Sequence, residues 1–180
     1  MKRSSAVPLF EGIAATTVHT DRLAANVLAR SGQRTDRPAI VFVHGNVSSS
    51  LFWQPILLAL PEDVTAYAVD LRGFGGSETA PVDATRGVRD FSDDVHSVVQ
   101  ALGLGAVHLV GWSMGGGANP GFVTALTEGD ISRGNTLGPW AVYKGTYVST
   151  GFTSEHEDTW VESMLTTATG EDNYPGNSMP

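Results

Sequence analysis

Cysteine is absent from the 180 residues. With it go disulfides, thiolate zinc sites, iron–sulfur clusters and a cysteine nucleophile. Basic residues are scarce: 11 Lys and Arg stand against 19 Asp and Glu, a net charge of −8. A nucleic-acid binder needs a basic footprint to neutralise phosphates, and an anionic membrane surface attracts one, so neither partner is expected. No apolar run approaches the roughly 20 residues of a membrane helix. The stretch from Met1 to Glu11 starts basic, but Pro8 and Glu11 interrupt it before the apolar centre of a signal peptide can form. A cytoplasmic location is the default expectation. What remains is 41% hydrophobic and 17% charged, the composition of a globular chain long enough for one domain.

The averages hide an asymmetry. Residues 1–117 hold 9 basic and 11 acidic side chains, whereas residues 118–180 hold 2 and 8. Ile, Leu and Val thin out across the same boundary, which argues against an independent core in the second part. Two units are therefore expected: an α/β core over 1–117 and a helical, cap-like segment over 118–180.

The first unit reads as alternating strands and helices. Ile13–His19 and Leu23–Ala29 predict a hairpin around Thr20-Asp21. The continuous apolar run Ala39–Val43 predicts a strand covered on both faces, as do Val64–Val69 and Ala106–Val110. Between them, Pro55–Leu60 predicts a short helix with Pro55 in its first turn. Asp90–Leu102 predicts a longer one, with Phe91, Val95, Val98, Val99 and Leu102 on a single face. Strand, helix, strand, helix, strand implies a mostly parallel sheet with right-handed crossovers. In the second unit, Ser154-x-x-Glu157 predicts a capping box opening a helix striped by Trp160, Val161, Met164, Leu165 and Ala168. Trp140–Val148 has strand character interrupted by Lys144 and Gly145.

Three segments carry chemistry. Gly111-Trp112-Ser113-Met114-Gly115 matches G-x-S-x-G, a pattern weak alone but placed here at the end of a buried-type strand. A sharp strand-to-helix turn there lifts the Ser113 hydroxyl above the sheet, with glycines on either side to relieve collision with neighbouring backbone. His44-Gly45-Asn46 follows an earlier strand, where a loop lending a backbone N–H to an oxyanion belongs. Asp70-Leu71-Arg72-Gly73-Phe74-Gly75-Gly76-Ser77 closes the strand after that and reads as a glycine turn fixed by an Asp70/Arg72 pair. In this order and spacing, over roughly Ile13 to Gly117, the three resemble the α/β-hydrolase superfamily, in the manner of its serine esterase, cofactor-free haloperoxidase and carbon–carbon hydrolase branches. The resemblance implies Ser113 as nucleophile and the amides of Asn46 and Met114 as the oxyanion hole. His44, Gly45, Asp70, Arg72, Gly111 and Gly115 would support the motifs. It also implies acyl transfer on a small ester-like substrate, without metal or organic cofactor.

Other residues receive plainer readings. His44 reads as a loop-stabilising residue rather than a base, since triads of this family run Ser, acid, His along the chain. His108 reads as a packed core histidine, and Asp93, Asp94 and Glu78 as solvated charges. Trp53 and Trp112 read as core or pocket wall.

The chain also departs from the family. Downstream of Ser113 the only histidine is His156, inside the capping-box turn and flanked by Glu155 and Glu157. That is not the strand-and-loop setting of a triad base, so the triad acid and histidine stay unassigned. Gly115-Gly116-Gly117-Ala118-Asn119-Pro120-Gly121 cannot continue into the long helix that follows the family's serine. The expectation is a truncated and internally shortened domain of feeble or absent turnover. The competing expectation is a non-catalytic fragment that binds or self-associates through an exposed sheet edge. A haloperoxidase-like perhydrolase, using the same serine on peroxide, is a third.

Overall fold

The hairpin forms as its sequence predicts, with β1 (Ile13–His19) antiparallel to β2 (Ala24–Arg30). Thr20 shapes its turn: Oγ1 accepts the backbone N–H groups of Arg22 and Leu23 at 3.1 and 3.0 Å. The computed structural model describes residues 7–34, 36–86, 88–112, 120–170 and 174–175. In it β3 (Ala39–Val43), β4 (Thr65–Val69) and β5 (Val107–Gly111) join the hairpin in one sheet of order β1-β2-β4-β3-β5. β4, β3 and β5 run parallel, and the hairpin adds antiparallel strands at one side.

The apolar runs are explained by cover on two faces. On one face Val41, Tyr67 and Val69 pack against Val95 and Val98 of α2 (Arg89–Ala101). On the other Phe42, Ala66 and Ala68 meet Leu51, Trp53 and Leu57, supplied by a 3-10 turn at Ser50–Trp53 and by α1 (Gln54–Ala59). Burying one such Leu or Val side chain contributes roughly 1.5–3 kcal/mol, so both layers are needed to hold the centre of the sheet.

β5 departs from its predicted burial. It pairs with β3 on one side and ends the sheet on the other among the described residues. Leu109, beside Val41, is 62% exposed, and Val110, beside Phe42, is 40% exposed. The strand has the composition of a central strand but lies at an edge. His108 is likewise exposed rather than packed in the core.

Beyond residue 119 the chain is helical: α3 (Pro120–Glu128), α4 (Pro139–Val142), a π-type turn over Tyr143–Tyr147, and α5 (Glu157–Met164). A two-residue parallel pair, β6 (Thr169–Gly170) and β7 (Tyr174–Pro175), follows. The strand character of Trp140–Val148 is overridden because Gly138 and Pro139 start a helical turn there. The capping box does not form either. Ser154 Oγ accepts the N–H of His156 at 3.2 Å, and the Glu157 carboxylate turns to Lys144 instead of reaching back. The predicted stripe does face inward, with Val161, Met164 and Ala168 buried. These helices bury their own cluster, Phe122, Leu126, Trp140, Tyr143, Val161 and Met164, together with Val47 from the loop after β3. Among the described residues no helix is long and apolar enough to cross a membrane.

Candidate active site

Strand register brings the three motifs to one place. Val69 of β4 pairs with Val43 of β3, and Val43 pairs with Gly111 of β5. Three adjacent parallel strands therefore end at one level, and Asp70, His44-Gly45-Asn46 and Trp112 leave the sheet side by side. Loops at the carboxyl ends of parallel strands are where sites of α/β proteins are built.

The loop after β3 is held by its own side chains. His44 is fully buried, and its Nε2 accepts the backbone N–H of Leu71 at 3.0 Å. Its Nδ1 then carries the proton and donates to the Gly45 carbonyl at 2.7 Å. Burial holds the imidazole below the ordinary histidine range, opposed by the Asp70 charge and by the bond to Gly45. His44 is thus a neutral brace, as its sequence position suggests. Ser48 Oγ donates to the same Gly45 carbonyl at 2.9 Å. The Asn46 side chain accepts the Val47 N–H at 3.1 Å, and no described residue accepts from the Asn46 N–H. Val47 has φ +49°, the only non-glycine residue in the left-handed region among those described. For a β-branched residue that conformation is strained and costs of order 1–3 kcal/mol.

The turn after β4 differs in one detail from its predicted form. Asp70 and Arg72 do not pair. Asp70, buried, accepts the backbone N–H of Ser50 at 2.6 Å, that of Gly76 at 2.8 Å and the Asn26 amide at 2.8 Å. It ties the turn to the loop after β3 and to β2. Arg72 reaches α2 instead, where its Nε and Nη2 meet Asp94 at 2.5 and 2.6 Å. Arg22 of the hairpin meets the same carboxylate at 2.7 Å. Asp94 is therefore a buried hub rather than a solvated charge. Glu78 stays exposed, its carboxylate accepting the Ala24 N–H at 2.9 Å. Gly75 is obligatory: it has φ +53°, and a Cβ there would lie 1.9 Å from the Asp70 carboxylate.

At the end of β5, the expected crowding around Gly111 is absent: a Cβ there would meet the Val43 carbonyl at an ordinary 3.6 Å. Ser113, Met114 and Gly115 lie outside the described residues, as do Gly116 to Asn119. Trp112, just before Ser113, is 38% exposed and lies in a cluster of rings. It sits 5.2 Å from Trp53, 5.6 Å from Phe52 and 6.4 Å from Tyr147, and Phe52 in turn stacks on Trp160 at 6.1 Å. The sequence suggested Trp53 and Trp112 as core or pocket wall, but did not single out Phe52, Tyr147 or Trp160 for this cluster. The Phe52-Trp53 pair, just past the loop after β3, was the available signal. For Tyr147 there was none, since its position depends on how the helical segment docks.

That docking is specific. Tyr147 OH donates to the Asn46 carbonyl at 2.6 Å, the Gly75 N–H to Thr166 Oγ1 at 3.1 Å, and the Ala168 N–H to the Gly73 carbonyl at 2.6 Å. The segment after residue 119 thereby bonds to both loops of the site. His156 packs, tilted, against Phe10 at 4.3 Å and edge-on against Trp160 at 5.9 Å. Of the downstream acids, Glu157 is taken by Lys144, Asp158 by Arg133, and Asp130 by Ser132 and Asn135.

Comparison with known proteins identifies the family. The sequence profile of the alpha/beta hydrolase family matches residues 40–174. Carboxylesterase YbfK of Bacillus subtilis is 29% identical over 140 residues, covering 77% of this chain and 44% of that protein. The 2-(acetamidomethylene)succinate hydrolase of Mesorhizobium japonicum is 33% identical over 78 residues, covering 43% and 27%. Fluoroacetate dehalogenase of a Burkholderia species is 31% identical over 112 residues, covering 60% and 35%. The chain spans less than half the length of these curated relatives.

Proposed function

The chain belongs to the alpha/beta hydrolase family, and from that premise we propose that it carries the nucleophile and oxyanion half of a serine hydrolase site, acting on small ester-like substrates. Residues 1–117 form the core that presents the site, and residues 118–180 form a cap over it. Ser113 Oγ attacks the substrate carbonyl, and the oxygen that becomes negative accepts the N–H groups of Asn46 and Met114. Collapse breaks the ester bond and releases the alcohol, and water then hydrolyses the acyl-serine. The rings of Phe52, Trp112, Tyr147 and Trp160 favour an apolar acyl or alcohol group.

The observation that carries this reading is the register Val69–Val43–Gly111, which puts the Asn46 loop and the residue preceding Ser113 on neighbouring strand ends. This reading takes no base from the described residues. Among the described residues His44 has both ring nitrogens engaged and His156 packs against Phe10 and edge-on to Trp160. An unassisted serine keeps its proton at neutral pH, and losing the base lowers turnover by about 10⁴-fold or more.

Hydrolysis of a short-chain p-nitrophenyl ester tests this. The expected result is slow turnover that rises steadily with hydroxide from pH 6 to 9 and disappears in Ser113→Ala. A sigmoidal profile with a midpoint near 6.5–7 would mean that a histidine base operates after all. Equal rates in wild type and Ser113→Ala would remove the serine from the reaction.

A second reading, self-association through β5, is favoured by one observation: exposed Leu109 and Val110 on a strand that is unpaired on its outer side among the described residues.

A further inference from the structure

The Asn46 N–H belongs to a chain segment whose two peptide planes are both pinned. The Gly45–Asn46 plane is held at its carbonyl by His44 Nδ1 and Ser48 Oγ, at 2.7 and 2.9 Å. The Asn46–Val47 plane is held at its N–H by Asn46 Oδ1, at 3.1 Å, and at its carbonyl by Tyr147 OH, at 2.6 Å. Three of these four bonds are local to residues 44–48. The fourth comes from 101 residues away, out of the helical segment. It falls on the peptide that leads into Val47, the strained residue with φ +49°. Strain of this kind persists only where the surroundings over-determine it.

We infer that Tyr147 is a positioning residue for the oxyanion loop: its hydroxyl clamps the Asn46–Val47 peptide, the plane next to the one that carries the Asn46 N–H, and so holds the loop in the conformation that presents that N–H. This rests on the serine reading above for its catalytic meaning, but the clamp itself does not. Burial, with a smaller contribution from Tyr174, pushes the Tyr147 phenol up to about 12, so it remains a donor at every working pH. Its ring is placed by Phe52 at 6.0 Å and by Trp112 at 6.4 Å. One side chain of the helical segment thus touches both the loop that supplies Asn46 and the residue that precedes Ser113. Docking of that segment and setting of the Asn46 loop become a single event. Val47 adds to the coupling, since its side chain is buried in the helical segment's own cluster.

Tyr147→Phe removes the hydroxyl and leaves the ring contacts. Two readouts decide the inference. Amide hydrogen exchange across residues 44–50 should become about tenfold faster, as expected for loss of one partly buried hydrogen bond, with residues 24–30 of β2 unchanged. The maximal rate of fluorophosphonate labelling should fall about tenfold, while the probe concentration giving half-maximal rate stays the same. Unchanged exchange across 44–50 overturns the clamp. Faster exchange with an unchanged labelling rate overturns its positioning role. If the wild type itself is never labelled, the serine reading falls instead, and the exchange measurement alone decides whether Tyr147 holds the loop.

Discussion

His44 is buried and neutral, with a proton on Nδ1 for the Gly45 carbonyl and a lone pair on Nε2 for the Leu71 N–H. Protonation would destroy the second bond and place a charge in the interior. Its folded pKa lies below the ordinary value of 6.5, so below pH 6.5 the unfolded chain binds a proton that the folded chain refuses. This contribution to stability is complete above pH 6.5 and is lost as pH falls towards the folded pKa, with a slope of up to about 1.4 kcal/mol per pH unit. Urea midpoints should therefore decline from pH 6.5 to 5, and less steeply in His44→Gln. A wild-type midpoint that is flat over that window contradicts the assignment. The role of His44 was legible because order along the chain separates a brace from a base. The partner of Arg72 was not legible: Asp70 is near in sequence, but the closure of α2 on the sheet offers Asp94 as a fully buried alternative. Gly75 was legible as a turn residue, yet its reason, the Asp70 carboxylate 1.9 Å from any Cβ, is visible only in the fold.

At the scale of elements, β1 to β5, α1 and α2 lie within a residue or two of where hydrophobic periodicity predicts them. Periodicity reports what a strand could bury, and not what is there to bury it. Val107–Val110 therefore reads as a central strand and is found at an edge among the described residues, with Leu109 and Val110 exposed. In the helical segment the same limit shows differently. Tyr143 and Tyr147 lie in a helical turn begun by Gly138 and Pro139, where β-prone residues suggested a strand. An edge with these side chains pairs readily with a second copy. On the self-association reading, light scattering should show the wild-type chain as a dimer or larger, and Leu109→Lys should shift it towards monomer. A wild type that stays monomeric at high concentration rules that reading out.

For the whole molecule, residues 120–170 sit on the site rather than beside it, through Tyr147 on Asn46, Thr166 on Gly75 and Ala168 on Gly73. The sequence changes composition near residue 117, but this docking was not legible there, because it depends on single hydroxyls and carbonyls that leave no periodic trace. The three motifs were legible, and strand register supplies the reason that the loops after β3 and β4 lie beside Trp112. The central proposal is that Ser113 is a nucleophile facing an oxyanion hole, with no base among the described residues to activate it. Intact-mass detection of fluorophosphonate labelling addresses it most directly. The account predicts one adduct per chain, formed slowly at pH 7 and faster at pH 9, and none in Ser113→Ala. A folded wild-type chain that takes up no probe, or a Ser113→Ala chain that labels equally well, would contradict it.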